Sequence, residues 1–137
     1  MNQERVLTVY ACVRASQTGE WQFPEIVARL AAIGVERYHA DYTRLEKTFY
    51  FDDGESIVTT IPHDAQVVSH DFSAQAVEAA VRQSQRNEHT FSDFVRKTIA
   101  AGCVGYCVHI AGRHAVYFGR KGETHVEQFP NAPTTID

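Results

Sequence analysis

Phe23-Pro24-Glu25-Ile26-Val27 and Phe91-Ser92-Asp93-Phe94-Val95 are one phrase written twice, 68 positions apart. Continued without a gap, Gly34 meets Gly102, Tyr38 meets Tyr106, Gly54-Glu55 meets Gly122-Glu123, Val58 meets Val126 and Pro62 meets Pro130. Read backwards, Val9, Val13, Arg14, Ser16 and Gln17 meet Val77, Val81, Arg82, Ser84 and Gln85. The 61 pairs from Asn2/His70 to Pro62/Pro130 hold 16 identities, where ordinary composition gives roughly four. Self-similarity at a fixed period constrains the whole architecture.

Each copy carries the same element signals. Val6, Val9, Tyr10 and Val13 recur at helical spacing and predict a helix over about 3–16. Pro24 suits a first helical turn; Phe23, Ile26, Val27 and Leu30 share a face, and Gly34 stops the helix. Strands follow at about 35–42, 47–51 and 56–61, the last two joined across Asp53-Gly54. In the second copy Val77 and Val81 mark a helix at about 73–86. Thr90 and Asp93 form a capping box before Phe91, Phe94, Val95 and Ile99, and Gly102 ends that helix. Strands are expected near 103–110, 114–119 and 124–129, with turns at Ala111-Gly112 and Lys121-Gly122.

The expected fold is therefore α+β. It is a tandem repeat of helix, helix and three antiparallel strands, whose halves are related by a pseudo-two-fold and share one core. A half of about 60 residues is marginal alone. Residues 1–137 read as a single domain, with repeats at about 2–62 and 70–130, a linker at 63–69 and a loose tail at 131–137. One sheet, two packed sheets and a barrel all satisfy this element order.

Composition narrows the function classes. The apolar share is 44% and the charged share 22%, as in a soluble globular chain. A net charge of −4 with scattered Lys and Arg excludes a general nucleic-acid binder, which needs a basic stripe. Arg113, Arg120 and Lys121 make only a small local basic group. There is no membrane-spanning run and no secretory signal after Met1. Cys12, Cys103 and Cys107 are odd in number and lack zinc-finger spacing, so the reducing cytoplasm is the expected compartment.

The repeat sorts candidate residues. A residue type kept in both copies most simply serves the shared fold. Gly34/Gly102 and Gly54/Gly122 fit helix stops and turns, Tyr38/Tyr106 fit half-buried strands, and Glu55/Glu123 follow the turn glycines; all eight read as structural. Residues present in one copy only are better functional candidates. Strand alternation sets Cys103, Gly105, Cys107 and His109 on one face, against a core face of Val104, Tyr106, Val108 and Ile110. His125 and Glu127 share a face of the last strand. Convergence of Cys107, His109, His125 and Glu127 would suit zinc or another transition metal. Arg113 is a candidate anion holder beside them. In the first half His39 and Asp41 share a face with Val35 and Arg37, as a base and its orienting carboxylate would. His63-Asp64 and His70-Asp71 read as solvated linker pairs, and Trp21 as a packing lid. No phosphate loop, nucleophile elbow or zinc-protease motif is present.

The stretch Phe23-Pro24 … Gly34-Val35-x-x-Tyr38-x-x-Asp41 … Thr48-Phe49-Tyr50 … Gly54-Glu55, with Gly112-Arg113 … Tyr117-Phe118-Gly119 … Gly122-Glu123, resembles the YdfO/YbcV-like family. These are small uncharacterised bacterial proteins, several of them prophage-encoded and some labelled phage envelope proteins. The resemblance spans about residues 3–130. It implies an α+β domain of phage-related origin and carries over no catalytic residues.

The leading expectation is a non-enzymatic cytoplasmic binding or regulatory domain with a ligand or protein partner near the junction of its halves, and with a homodimer as a further expectation. The absence of a catalytic motif leans against an enzyme. No cofactor is expected in that reading. The alternatives are a metal-assisted hydrolase using His109, His125 and Glu127 with a divalent ion, and a phage-derived protein that acts on a host factor.

Overall fold

The computed structural model describes residues 1–130; the expected loose tail, 131–137, lies outside the described residues. Helices α1 (Gln3–Thr18) and α2 (Phe23–Ala32) precede strands β1 (Val35–Asp41), β2 (Glu46–Phe51) and β3 (Ser56–Thr60). Helices α3 (Ala74–Gln85) and α4 (Phe91–Ala100) precede β4 (Cys103–His109), β5 (His114–Gly119) and β6 (Thr124–Gln128). All ten elements fall where the sequence signals place them, with ends moved by a few residues.

Local chemistry explains the boundaries. Asn2 Oδ1 accepts from the Glu4 N–H at 2.7 Å and so starts α1. Ser73 Oγ accepts from Ala76 at the start of α3. Thr90 and Asp93 form the expected capping box of α4, with both reciprocal bonds at 3.1 Å. Gly34 and Gly102, just beyond α2 and α4, have φ of +96° and +94°.

The strands make one antiparallel sheet of order β3-β2-β1-β4-β5-β6, which decides among the three arrangements that the element order allows. The halves meet at β1 and β4. In that pairing Arg37 faces His109, His39 faces Cys107, and Asp41 faces Gly105. The two β-meanders also share a register: adding 68 to each β1–β2 pair, such as Val35↔Phe51 or Tyr38↔Phe49, gives the β4–β5 pairs Cys103↔Gly119 and Tyr106↔Tyr117.

Both β1 and β4 slip by one residue near their starts, between Val35 and Arg37 and between Cys103 and Gly105. This bulge corrects the expected alternation. Val35 and Cys103 turn into the core instead of sharing a face with Arg37 and with Cys107.

All four helices cover one face of the sheet. A single apolar cluster joins Val9, Leu30, Val77, Val95 and Ile99 to Tyr38, Phe49, Tyr106, Val108 and Tyr117. The opposite face carries Arg37, His39 and Asp41 beside Cys107 and His109. The connecting segment 63–69 is tied down: Arg120 donates to the Val68 carbonyl at 3.0 Å, and the Ser69 N–H donates to Ile99.

Candidate functional site

Between the helices and the sheet lies an open cavity of about 970 Å³, at the upper end of the range for small-molecule sites. Its lining comes from both halves, often at positions 68 apart: Val13 and Val81, Ser16 and Ser84, Phe23 and Phe91, Ile26 and Phe94, Tyr38 and Tyr106. Aromatic rings form much of its apolar wall. Tyr106 and Tyr117 lie 5.2 Å apart between centroids, and Phe94 packs edge-on to both. Tyr38 leans on Phe49 at 5.1 Å. These distances are typical of favourable aromatic pairs. Tyr38, Tyr106 and Tyr117 line the cavity, and among the described residues their hydroxyls have no hydrogen-bond partner. Tyr42 differs: its hydroxyl donates to Thr98 Oγ1 at 2.7 Å, because Thr98 itself donates to the Phe94 carbonyl.

Lys47 is the unusual member of this lining. Alternation along β2 turns Lys47, Phe49 and Phe51 inward, so a lysine occupies a core position and is only 7% exposed. Its Nζ lies 4.2 Å from the centre of the Phe91 ring and 5.7 Å from that of Tyr38, within reach of cation–π attraction. Among the described residues it has no ion-pair or hydrogen-bond partner. Burial lowers its pKa from 10.5 to about 8. Buried lysines are rare unless paired, and this one opens instead into a cavity.

A second polar group lies at the cavity edge. Ser84 Oγ sits 2.8 Å from His89 Nε2, and Lys97 Nζ sits 3.1 Å from His89 Nδ1. The spacing resembles a serine–histidine dyad, but the proton is on the wrong nitrogen. An ammonium can only donate, so Lys97 makes Nδ1 the acceptor and leaves the hydrogen on Nε2. His89 then donates to Ser84 instead of accepting its proton, the reverse of what a nucleophilic serine requires. Burial, and next the Lys97 charge, hold the imidazole below its ordinary pKa.

The residues singled out from sequence fall into separate places. His125 pairs across the sheet with Tyr117 and so faces the helices, whereas Cys107 and His109 lie on the opposite face. The expected convergence of Cys107, His109, His125 and Glu127 therefore does not occur; the assumed register carried β6 to the wrong face. His125 and Glu127 do meet, with Nε2 and Oε2 2.7 Å apart. Glu78 brings a third ligand atom to within 4.8 Å of these two. Arg82 already supplies the cation there, donating to Glu127 at 2.9 Å and Glu78 at 3.3 Å.

His109 stacks on His114 at 4.9 Å, and its pKa is lowered by burial and then by His114 and Arg37. Burial pushes the Cys107 thiol up, away from the thiolate form. Arg113 is apart from these, with φ +60° in its turn and its guanidinium 5.5 Å from the Phe129 ring. Asp41 Oδ1 accepts from the Thr43 and Arg44 N–H groups, a turn contact rather than support for His39. Glu55 accepts from Arg5 and Glu123 from the Lys121 N–H. Trp21 is covered by Arg29, whose guanidinium carbon lies 3.8 Å from the ring centre; it also lines the cavity.

Sequence reading missed Lys47. The signal was present: alternation through Phe49 and Phe51 puts residue 47 on the apolar face. Its counterpart 68 residues on is Ala115, so it also belongs to the unmatched set.

Among the described residues no helix is long and apolar enough to cross a membrane. The chain belongs to the family described as protein of unknown function (DUF1398), which it matches over residues 12–128. No curated protein matches it.

Proposed function

We propose that this member of the DUF1398 family is a non-enzymatic binding domain, which takes up a small, flat, largely apolar molecule between its halves. Lys47 holds the one acceptor-bearing end of that molecule. The observation that carries this reading is a buried amine with no ion-pair or hydrogen-bond partner among the described residues, opening into a cavity with aromatic rings in its walls. Removing a charge from water is costly without compensation; a carboxylate or similar acceptor on the ligand supplies it. The rings favour planar bodies, and the three tyrosine hydroxyls can pair with further polar edges.

The same reading accounts for the repeat. Two copies of one unit, related by a pseudo-two-fold near the His39–Cys107 pair, form a cavity neither builds alone. The shared registers and the paired lining residues support it.

Trp21, the single tryptophan, lines the cavity and reports occupancy. Anilinonaphthalene sulfonate and phenylnaphthylamine share a ring system and differ by one anionic group. Both are expected to quench Trp21 saturably at one site per chain. The sulfonate should bind roughly tenfold more tightly, the effect of one charge-assisted hydrogen bond. Lys47→Met should remove that preference while keeping the neutral probe. Absence of saturable quenching, or an anion preference that survives Lys47→Met, would overturn the reading.

A further inference from the structure

We infer that Lys47 is also a covalent capture site, whose ε-amine condenses reversibly with an apolar or aromatic aldehyde seated in the cavity. This rests on the binding reading above and narrows its ligand to a carbonyl compound. The nitrogen lone pair attacks the carbonyl carbon, and the C=O π pair moves to oxygen. That oxygen takes a proton while the nitrogen gives one up, forming a carbinolamine. Loss of the hydroxyl with one proton as water leaves the C=N bond. No oxidant or reductant enters.

Several observations favour this chemistry. An amine needs a free lone pair to attack, and a carboxylate partner would hold it protonated; among the described residues Lys47 has none. Its lowered pKa, about 8, makes the neutral form accessible near neutral pH. The aromatic walls hold an apolar aldehyde next to the amine, which turns a bimolecular encounter into a local one. A protonated imine keeps its positive charge at the nitrogen, so the attraction to the Phe91 face survives condensation. The unpartnered hydroxyls of Tyr38, Tyr106 and Tyr117 line the same space and can pass protons during loss of water.

The chain has only two other lysines. Lys97 is engaged by Gln83 and His89 at 3.0 and 3.1 Å, and Lys121 is exposed outside the cavity.

Naphthaldehyde followed by borohydride converts an imine to a stable secondary amine that peptide mass mapping locates. The intact chain is expected to carry the adduct at Lys47 at a rate roughly tenfold or more above Lys97, Lys121 and the N-terminus, as suits a desolvated amine. Excess phenylnaphthylamine should suppress it at Lys47 alone. Adducts spread over the other amines, with Lys47 spared while phenylnaphthylamine still quenches Trp21, would overturn the covalent step and leave the binding reading intact. Failure of both probe binding and Lys47 labelling would overturn the two together. Because the mapping uses the natural chain, it does not depend on a variant folding.

Discussion

At equivalent places in the sheet, β2 carries Lys47 and β5 carries Ala115. Nearby pairs differ in the same way. Thr59, whose buried hydroxyl finds no partner among the described residues, corresponds to Glu127, which is held by Arg82 and His125. Trp21 under Arg29 corresponds to His89 beside Lys97. The backbone registers coincide while these side chains do not. The difference separates two demands on one scaffold. Shape comes from the positions that agree, such as Phe23 and Phe91 or Tyr38 and Tyr106. The positions that disagree carry the ionisable groups that set the halves apart, Lys47 and Glu127 among them. The Arg29–Trp21 and Lys97–His89 contacts refine that rule: a cation meets a ring in both halves although no residue is identical, over the indole face in one and at the imidazole Nδ1 edge in the other.

The largest expected effect tests where the halves agree in sequence but differ in surroundings. Gly34 and Gly102 both have φ near +95°, where an L-residue is strained by about 1–2 kcal/mol. A Cβ on Gly34 would meet the flexible end of Arg5 at 3.3 Å, which can shift. A Cβ on Gly102 would run into the Asp71 carbonyl and lie 2.8 Å from Phe72 Cα, both backbone. Gly34→Ala should therefore cost about 1–2 kcal/mol, and Gly102→Ala about 3–4 kcal/mol. Denaturant midpoints of the two variants decide this; equal losses would mean that the segment around Asp71 yields.

The second effect has the opposite sign. A base whose pKa falls on folding binds fewer protons folded than unfolded, so stability is reduced at low pH and recovers as pH rises. For Lys47 the cost is fully present below about 8 and gone above its ordinary value of 10.5. Lys47→Met keeps the bulk and removes the amine. It should raise stability by about 2–3 kcal/mol at pH 7, with the gain shrinking as pH rises between those two values. A gain that stays constant with pH would assign it to packing. Ala115, its counterpart, has no ionisable group, so this pH-dependent cost falls on the first half alone.

How far the sequence reaches can be judged from the same positions. Helix ends, turns and strand order along the chain were legible because caps, Gly and Pro act locally: Thr90 with Asp93, Pro24, Gly34 and Gly102 all do what their chemistry predicts. The pairing of β1 with β4 was not legible, since it joins residues far apart and no turn fixes it. For the same reason nothing local tells that His125 and Glu127 lie on the other sheet face from His109. The bulges at Val35/Arg37 and Cys103/Gly105 escaped alternation because a single extra residue leaves no compositional mark. Glu127 and Lys47 both line the cavity, but a lysine on a strand usually faces water, so its residue type gives no sign of this one's burial.

The smallest of the three effects probes an identity that has diverged in role. Arg14 and Arg82 are the same residue at equivalent positions, but Arg14 is exposed while Arg82 bridges Glu78 and the buried Glu127. Arg82→Met leaves the Glu127 carboxylate with His125 as its remaining partner. The guanidinium is partly solvated, so screening tempers the loss to about 1–2 kcal/mol. Arg14→Met should stay within about 0.5 kcal/mol, as exposed substitutions do. Adding Glu127→Thr, the residue that β3 carries at the equivalent position, removes the stranded charge and should recover most of the Arg82→Met loss. Recovery in the double variant, measured by denaturant midpoint, would tie the cost to the uncompensated carboxylate. Additive losses would tie it to packing of the arginine stem against β6, and the two halves would then differ in how α1 and α3 seat on the sheet rather than in a single ion pair.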